Sequence, residues 1–182
     1  MAGMVCMLRG VNVGGHNLIR MDVLRALCTS LKLQNPQTYV QSGNVVFATA
    51  ERDLDRLASR IEAAIEKKAG FRPAVILRTA DEMRGVIARN PFAGRDGIEP
   101  AKLAVLFLAR DPGHDARERL RAIKTGPEEL HIADRELYVY YPNGMGRSKF
   151  TAAVIERTLQ TGATGRNWNS VTKLLDMAAA LE

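Results

Sequence analysis

Four polar, glycine-punctuated clusters interrupt an otherwise ordinary apolar pattern: Arg9-Gly-Val-Asn-Val-Gly-Gly15, Gln41-Ser-Gly-Asn44, Gly144-Met-Gly-Arg-Ser-Lys149 and Thr164-Gly-Arg-Asn-Trp-Asn-Ser170. Each joins flexible backbone to side chains that donate hydrogen bonds or carry positive charge, and none contains a carboxylate. Arg9, Lys149 and Arg166 would offer an anion three cations, while the glycines let backbone N–H groups approach it closely. The chemistry such groups would serve is phosphate recognition, in a nucleotide or a nucleic acid. The candidate ligand-binding residues are Arg9, Asn12, Gly14, Gly15, Gln41, Ser42, Asn44, Arg147, Ser148, Lys149, Arg166, Asn167, Trp168 and Asn169. A purely structural turn needs glycine, but not glycine beside Arg, Asn and Lys four times over.

The first cluster begins where a strand ends and leads toward a helix near Met21. Its glycines would fold into an anion-binding nest, with Arg9 and Asn12 facing the guest. The spacing is Gly-x3-Gly-Gly, not the dinucleotide fingerprint. The third cluster is expected to enter a helix N-capped by Ser148 or a neighbour, where free N–H groups and the helix dipole favour an anion. It is not a phosphate-binding Walker loop, and a Ser148–Lys149 nucleophile pair is disfavoured because adjacent residues on a helix do not face one another. Trp168, the only tryptophan, stands in the fourth cluster as a packing lid or as a stacking platform beside Arg166, Asn167 and Asn169. Ser42-Gly43 with Asn44 is also plain turn chemistry.

Catalysis has thinner support. His16 is the only histidine near a cluster, His114 and His131 lie apart, and no His, Cys or Asp grouping has metal-ligand spacing. No cofactor and no metal is expected. Three readings follow: a phosphate-recognising binding protein for nucleotide or nucleic acid; an enzyme on a phosphorylated small molecule with His16 as proton carrier; or clusters that only glue the chain together.

The elements that position these clusters follow from periodicity. Met4–Leu8 reads as a strand, and Met21, Leu24, Leu27, Cys28 and Leu31 give a helix over Met21–Leu33. Thr38–Gln41 and Asn44–Thr49 form a hairpin around Ser42-Gly43. Asp53 caps a helix that runs to Ala69 and ends at Gly70, and Pro73–Thr79 is the next strand. The pattern then restarts: strand Leu103–Ala109, helix Asp115–Ile123, hairpin Glu129–Ala133 with Leu137–Tyr141, helix Ser148–Leu159, and a last helix Val171–Leu181. The order β-α-β-β-α-β, begun again in the second stretch, gives an α+β fold of two ferredoxin-like (split βαβ) halves arising from a structural duplication, plus a C-terminal helix. The halves are residues 1–80 and 101–182, joined by a linker over 81–100 with a short helix. Met4–Leu8 and Leu103–Leu108 are apolar on both faces, which predicts strands covered on both sides and argues against an open RNA-reading sheet.

Composition sets the frame. The chain of 182 residues is long enough to bury a core, and its formal charge of +6 permits an anionic partner, although the arginines also fit solvated helix faces. Cys6 and Cys28 sit inside apolar patterns, as expected of reduced, buried thiols. With no signal-length or membrane-spanning apolar run, a cytoplasmic protein without membrane contact is expected.

Taken together, Leu8-Arg-Gly-Val-Asn-Val-Gly-Gly15, Thr38-Tyr-Val-Gln-Ser-Gly-Asn-Val-Val-Phe47, Asn90-Pro-Phe92, Gly146-Arg-Ser-Lys149 and Thr164-Gly-Arg-Asn-Trp-Asn169 resemble the bacterial domain-of-unknown-function family 1697. The resemblance keeps the motif order over nearly the whole chain. Gly165, Ser170 and Phe150 depart from the family's usual Ala, Thr and Leu. The resemblance implies an α+β fold with ferredoxin-like parts in a small cytosolic protein, and it implies no activity.

Overall fold

Gly3 to Leu8 form an unbroken apolar run, and in the computed structural model, which describes residues 1–182, strand β1 (Ala2–Leu8) is buried along all of it. Such a strand needs hydrogen-bonded neighbours on both edges and cover on both faces. Strands β3 (Asn44–Thr49) and β4 (Val75–Thr79) supply the edges, both antiparallel to β1, and β2 (Gln34–Tyr39) extends the sheet beyond β3. The order is β2-β3-β1-β4. Pro36 is tolerated because β2 is an outer strand, where a missing N–H breaks no central ladder.

Helices α1 (Met21–Ser30) and α2 (Leu54–Ala69) cover one face through Leu24, Leu27, Cys28, Leu57, Ile61 and Ile65. Each buried leucine or isoleucine among them contributes about 1.5–3 kcal/mol. Helix α2 is framed as its sequence predicts: the Asp53 carboxylate accepts from the Arg56 N–H at 2.9 Å, and Gly70 closes the helix at φ 80°. Helix α1 stops three residues earlier than its apolar spacing predicts. Lys32 turns left-handed at φ 63°, the Leu33 N–H reaches the Cys28 carbonyl, and buried Leu33 closes a Schellman cap without glycine.

A second sheet repeats the pattern. Strand β5 (Leu103–Leu108) is wholly buried, between β7 (Glu136–Tyr140) and β8 (Ala163–Asn167), with β6 (Glu129–Ala133) outside β7. The order is β6-β7-β5-β8, all antiparallel. Helices α4 (His114–Arg121) and α5 (Ala152–Leu159) supply Ala116, Leu120, Ile155 and Leu159 to its core. Two further helices, α3 (Ala80–Ala88) and α6 (Trp168–Ala179), follow β4 and β8 without a loop. The protein is therefore α+β, with two four-stranded antiparallel sheets and six α-helices. It divides into two compact units, Met1–Gly85 with Lys173–Glu182, and Val86–Thr172. No helix is long and apolar enough to cross a membrane.

Two elements differ from expectation near the clusters. Residues 163–167 form β8 where a loop was expected, because β5 needs a second partner strand, and Trp168 opens α6. Helix α5 begins at Ala152 with Thr151 as N-cap, not at Ser148. The Ser148 hydroxyl accepts from the Phe150 N–H at 2.9 Å and the Tyr141 hydroxyl donates to the Phe150 carbonyl at 3.1 Å, which holds Ser148 extended at φ −82°, ψ 143°.

Gly3 is the closest backbone approach in the first unit: a Cβ there would lie 2.1 Å from the Ala178 carbonyl oxygen. Gly3→Ala is expected to lower unfolding free energy by about 1–3 kcal/mol, measured by urea denaturation. An unchanged midpoint would show that α6 moves away freely.

Candidate functional site

The loop between β1 and α1 is closed by amides. The Asn12 side chain donates to the Ile19 carbonyl at 3.0 Å and to the Gln41 carbonyl at 2.9 Å, and accepts from the Ile19 N–H at 2.9 Å. Asn17 donates to the Gly10 carbonyl at 3.1 Å. Both asparagines stand at positive φ, 55° and 51°, a conformation their short polar side chains tolerate. Gly14 and Gly15 are the central pair of a tight turn in which the His16 N–H returns to the Val13 carbonyl at 3.0 Å. Their φ values of 58° and 76° mark a type I′ turn, so glycine serves the turn's conformation there.

Asn12 thereby joins the first cluster to the second. In the β2–β3 turn, Gly43 combines φ 75° with a close approach, since a Cβ would lie 2.8 Å from that of Leu8. Asn44 is fully buried and donates to the Tyr39 carbonyl at 3.1 Å, closing the turn from inside. Gln41 and Ser42 are exposed, as are Arg9, Gly14, Gly15 and His16. Three aliphatic side chains lie beside the Asn12 junction and face solvent: Val13 at 63%, Leu18 at 65% and Val40 at 50% exposure. Val40 sits at φ 49°, a conformation unfavourable for a β-branched residue. Strain of this kind concentrates at binding surfaces. These exposed aliphatics carry no composition signal, because a lone valine or leucine in a sequence reads as core.

The second unit holds the other clusters. Arg147 and Lys149 are exposed, on and just after a short 3₁₀ turn over Met145–Arg147, while Ser148 is half-buried. Arg166 is buried in β8, and its guanidinium donates to the Thr164 hydroxyl at 2.7 Å and to the Gly165 carbonyl at 2.8 Å. Asn167 caps α6 by accepting from the Ser170 N–H at 2.9 Å. Trp168 is half-buried and Asn169 exposed. No group of three or more His, Cys, Asp or Glu side chains is placed to hold a metal ion.

A further cluster in this unit escaped the sequence reading. The Phe92 ring lies edge-on to His131 at 5.3 Å, with the Arg95 guanidinium 5.1 Å from its centroid. Arg95 forks onto Glu129 at 2.7 and 3.0 Å, and Tyr140 donates to the Gly97 carbonyl at 3.1 Å. The Asn90-Pro-Phe92 motif thus anchors the loop over residues 90–99 on the β6–β7 hairpin. Hydrogen bonds from Arg95 and then His131 hold the Glu129 carboxyl at about 2. Burial pushes Cys28, Tyr138 and Tyr141 up to about 12, as befits core groups.

The family model of a protein of unknown function, DUF1697, matches residues 1–138. The chain belongs to that family. The match contains the first two clusters and the Asn90-Pro-Phe92 anchor, whereas the clusters at residues 144–149 and 164–170 lie beyond it. The structure of the conserved bacterial protein SP0830 from Streptococcus pneumoniae is similar, with a TM-score of 0.71 and 20% identity over 97% of this chain and 98% of that one. At that identity the likeness concerns the fold. No curated protein matches the chain.

Two predictions follow from these networks. Asn12→Ala leaves two carbonyls and an N–H without their partner, so it is expected to cost about 1–3 kcal/mol and to speed amide exchange at Ile19. Unchanged exchange would show the loop closes without it. Glu129 has a depressed pKa, so its contribution is full above its unfolded value near ~4.3 and is lost as pH falls through about 2. Between those limits the melting temperature of Glu129→Gln should fall less steeply with acid than that of the parent; parallel curves would exclude the pairing.

Proposed function

We propose that the protein is a phosphate-recognising binding protein whose ligand is a nucleic acid, met by the joined loops of the first unit. The observation that carries this reading is the pair of Asn12 bonds to Ile19 and Gln41, which fix the two loops against each other. Arg9, Gln41, Ser42 and the Gly14-Gly15 turn are then presented on loops of fixed geometry. Asp22 is the only carboxylate in the first 50 residues, which also carry Arg9, Arg20, Arg25 and Lys32. Asp22 is itself paired with Arg20 at 2.9 Å, and the loops over residues 9–20 and 40–44 contain no carboxylate. Arg147, Lys149 and Asn169 add exposed donors on the second unit.

The same reading takes the units as copies of one ferredoxin-like module with a trailing helix. Register supports it. Arg78 pairs with Val5 across β4 and β1, and Arg166 pairs with Val105 across β8 and β5. Both arginines are buried, and each donates to the carbonyl of its preceding residue, at 2.9 and 2.8 Å. The next residue caps the following helix in both cases: Thr79 accepts from the Glu82 N–H and Asn167 from the Ser170 N–H. Buried Asn44 and Glu136 also occupy matching registers, opposite Met7 and Phe107.

The test is fluorescence anisotropy of short labelled RNA and DNA across a salt series. Salt-dependent binding is expected, and Arg9→Ala should weaken it and lower the salt slope by about one phosphate contact. Binding that is equal in parent and variant would assign the affinity to diffuse charge and overturn the site. No binding by the parent would overturn the nucleic-acid reading.

A further inference from the structure

Helices α1 and α2 cover the first sheet without filling the space between them. A cavity of about 550 Å³ remains, within the size range of small-molecule sites, roughly 300–1,000 Å³. Its walls are Val23 and Leu27 from α1 and Ala64 from α2, with Ala26 on the outer rim. The two alanines explain the opening, because longer side chains there would close the helix contact. Lys67 and Lys68 stand at one end, in the last turn of α2. Neither lysine has an ion-pair partner; Asp22 also lines the groove, and its carboxylate is held by Arg20 at 2.9 Å.

We infer that this groove binds a single-chain alkyl carboxylate, with its chain along Val23, Leu27 and Ala64 and its head group at Lys67 and Lys68. Charge and shape both argue for that occupant. The walls offer apolar surface without hydrogen-bonding demand, so they select a chain. The two unpaired ammonium groups at one end select an anionic head and orient it. Ser30 adds a hydroxyl at the opposite end of α1, but its proton is already donated to the Leu27 carbonyl at 2.7 Å, so the head group is drawn to the lysines. The Arg9 loop contributes nothing to this groove, so the inference stands apart from nucleic-acid binding.

Decanoate and its neutral analogue decanol are the probes, followed by backbone amide chemical shifts of the full chain. Decanoate is expected to shift Val23, Leu27 and Ala64 saturably. Lys67→Ala/Lys68→Ala should weaken decanoate by about tenfold and leave decanol unchanged. Ala26→Leu/Ala64→Leu, which fills the groove, should remove both responses; if that variant fails to fold, the lysine variant decides alone. Shifts that scatter over the surface, or an unchanged decanoate affinity in either folded variant, would overturn the inference. So would sedimentation with phosphatidylglycerol vesicles in the absence of any response to free decanoate, which would make this a membrane-facing surface.

Discussion

The central strands β1 and β5 are buried on both faces, and the rest of the fold answers to that constraint. A strand that never meets water must have every backbone group paired within the sheet, so each acquires two antiparallel neighbours. Polar side chains carried into those sheets must likewise be satisfied from within. Arg78 and Arg166 reach back to the carbonyl of the residue before them, and Asn44 reaches the Tyr39 carbonyl. No buried side-chain nitrogen or oxygen is left without a partner. Since an unmatched buried donor costs about 1–3 kcal/mol, this completeness is a condition of stability.

The same demand reaches into the polar clusters, because they sit where the strands end. Leu8, at the end of β1, donates its N–H to the Gly43 carbonyl, so the second cluster is tied to the strand that leads into the first. Asn12 then fixes Gln41 and Ile19 together. The resulting loops are held by side-chain amides, and a loop held in one geometry loses little entropy when it meets a ligand.

Much of this was legible in the sequence, and the failures have physical causes. Leu57, Ile61 and Ile65 recur at helical spacing between Asp53 and Gly70, so α2 was readable from its cap to its closing glycine. Leu103–Leu108 declared a doubly buried strand by having no polar face. Strand β8 was not legible, because Thr-Gly-Arg-Asn has neither alternation nor an apolar run, and its strand state is imposed by pairing with β5. The start of α5 was misplaced for a related reason: Ser148 is a good cap by type, but Phe150 must be buried and its bond to Tyr141 keeps the chain extended. Among the candidate residues, the asparagines were chosen for their hydrogen-bonding capacity. A sequence shows that capacity without showing that Asn12, Asn44 and Asn167 direct it inward.

Separating folding from recognition then turns on charge. The bonds that close the loops run from amide to carbonyl: Asn12 to Gln41, Asn17 to Gly10 and Asn44 to Tyr39. They account for the asparagines, and the positive φ of Gly14, Gly15 and Gly43 accounts for the glycines. They give no reason for fifty residues of chain with a single acid, nor for a strained valine held in solvent beside the Asn12 junction. A neutral loop would close as well. What folding does not require at this end of the first sheet is the lack of any carboxylate in both loops, residues 9–20 and 40–44, and a surface without acids is one that an anionic partner would meet without repulsion.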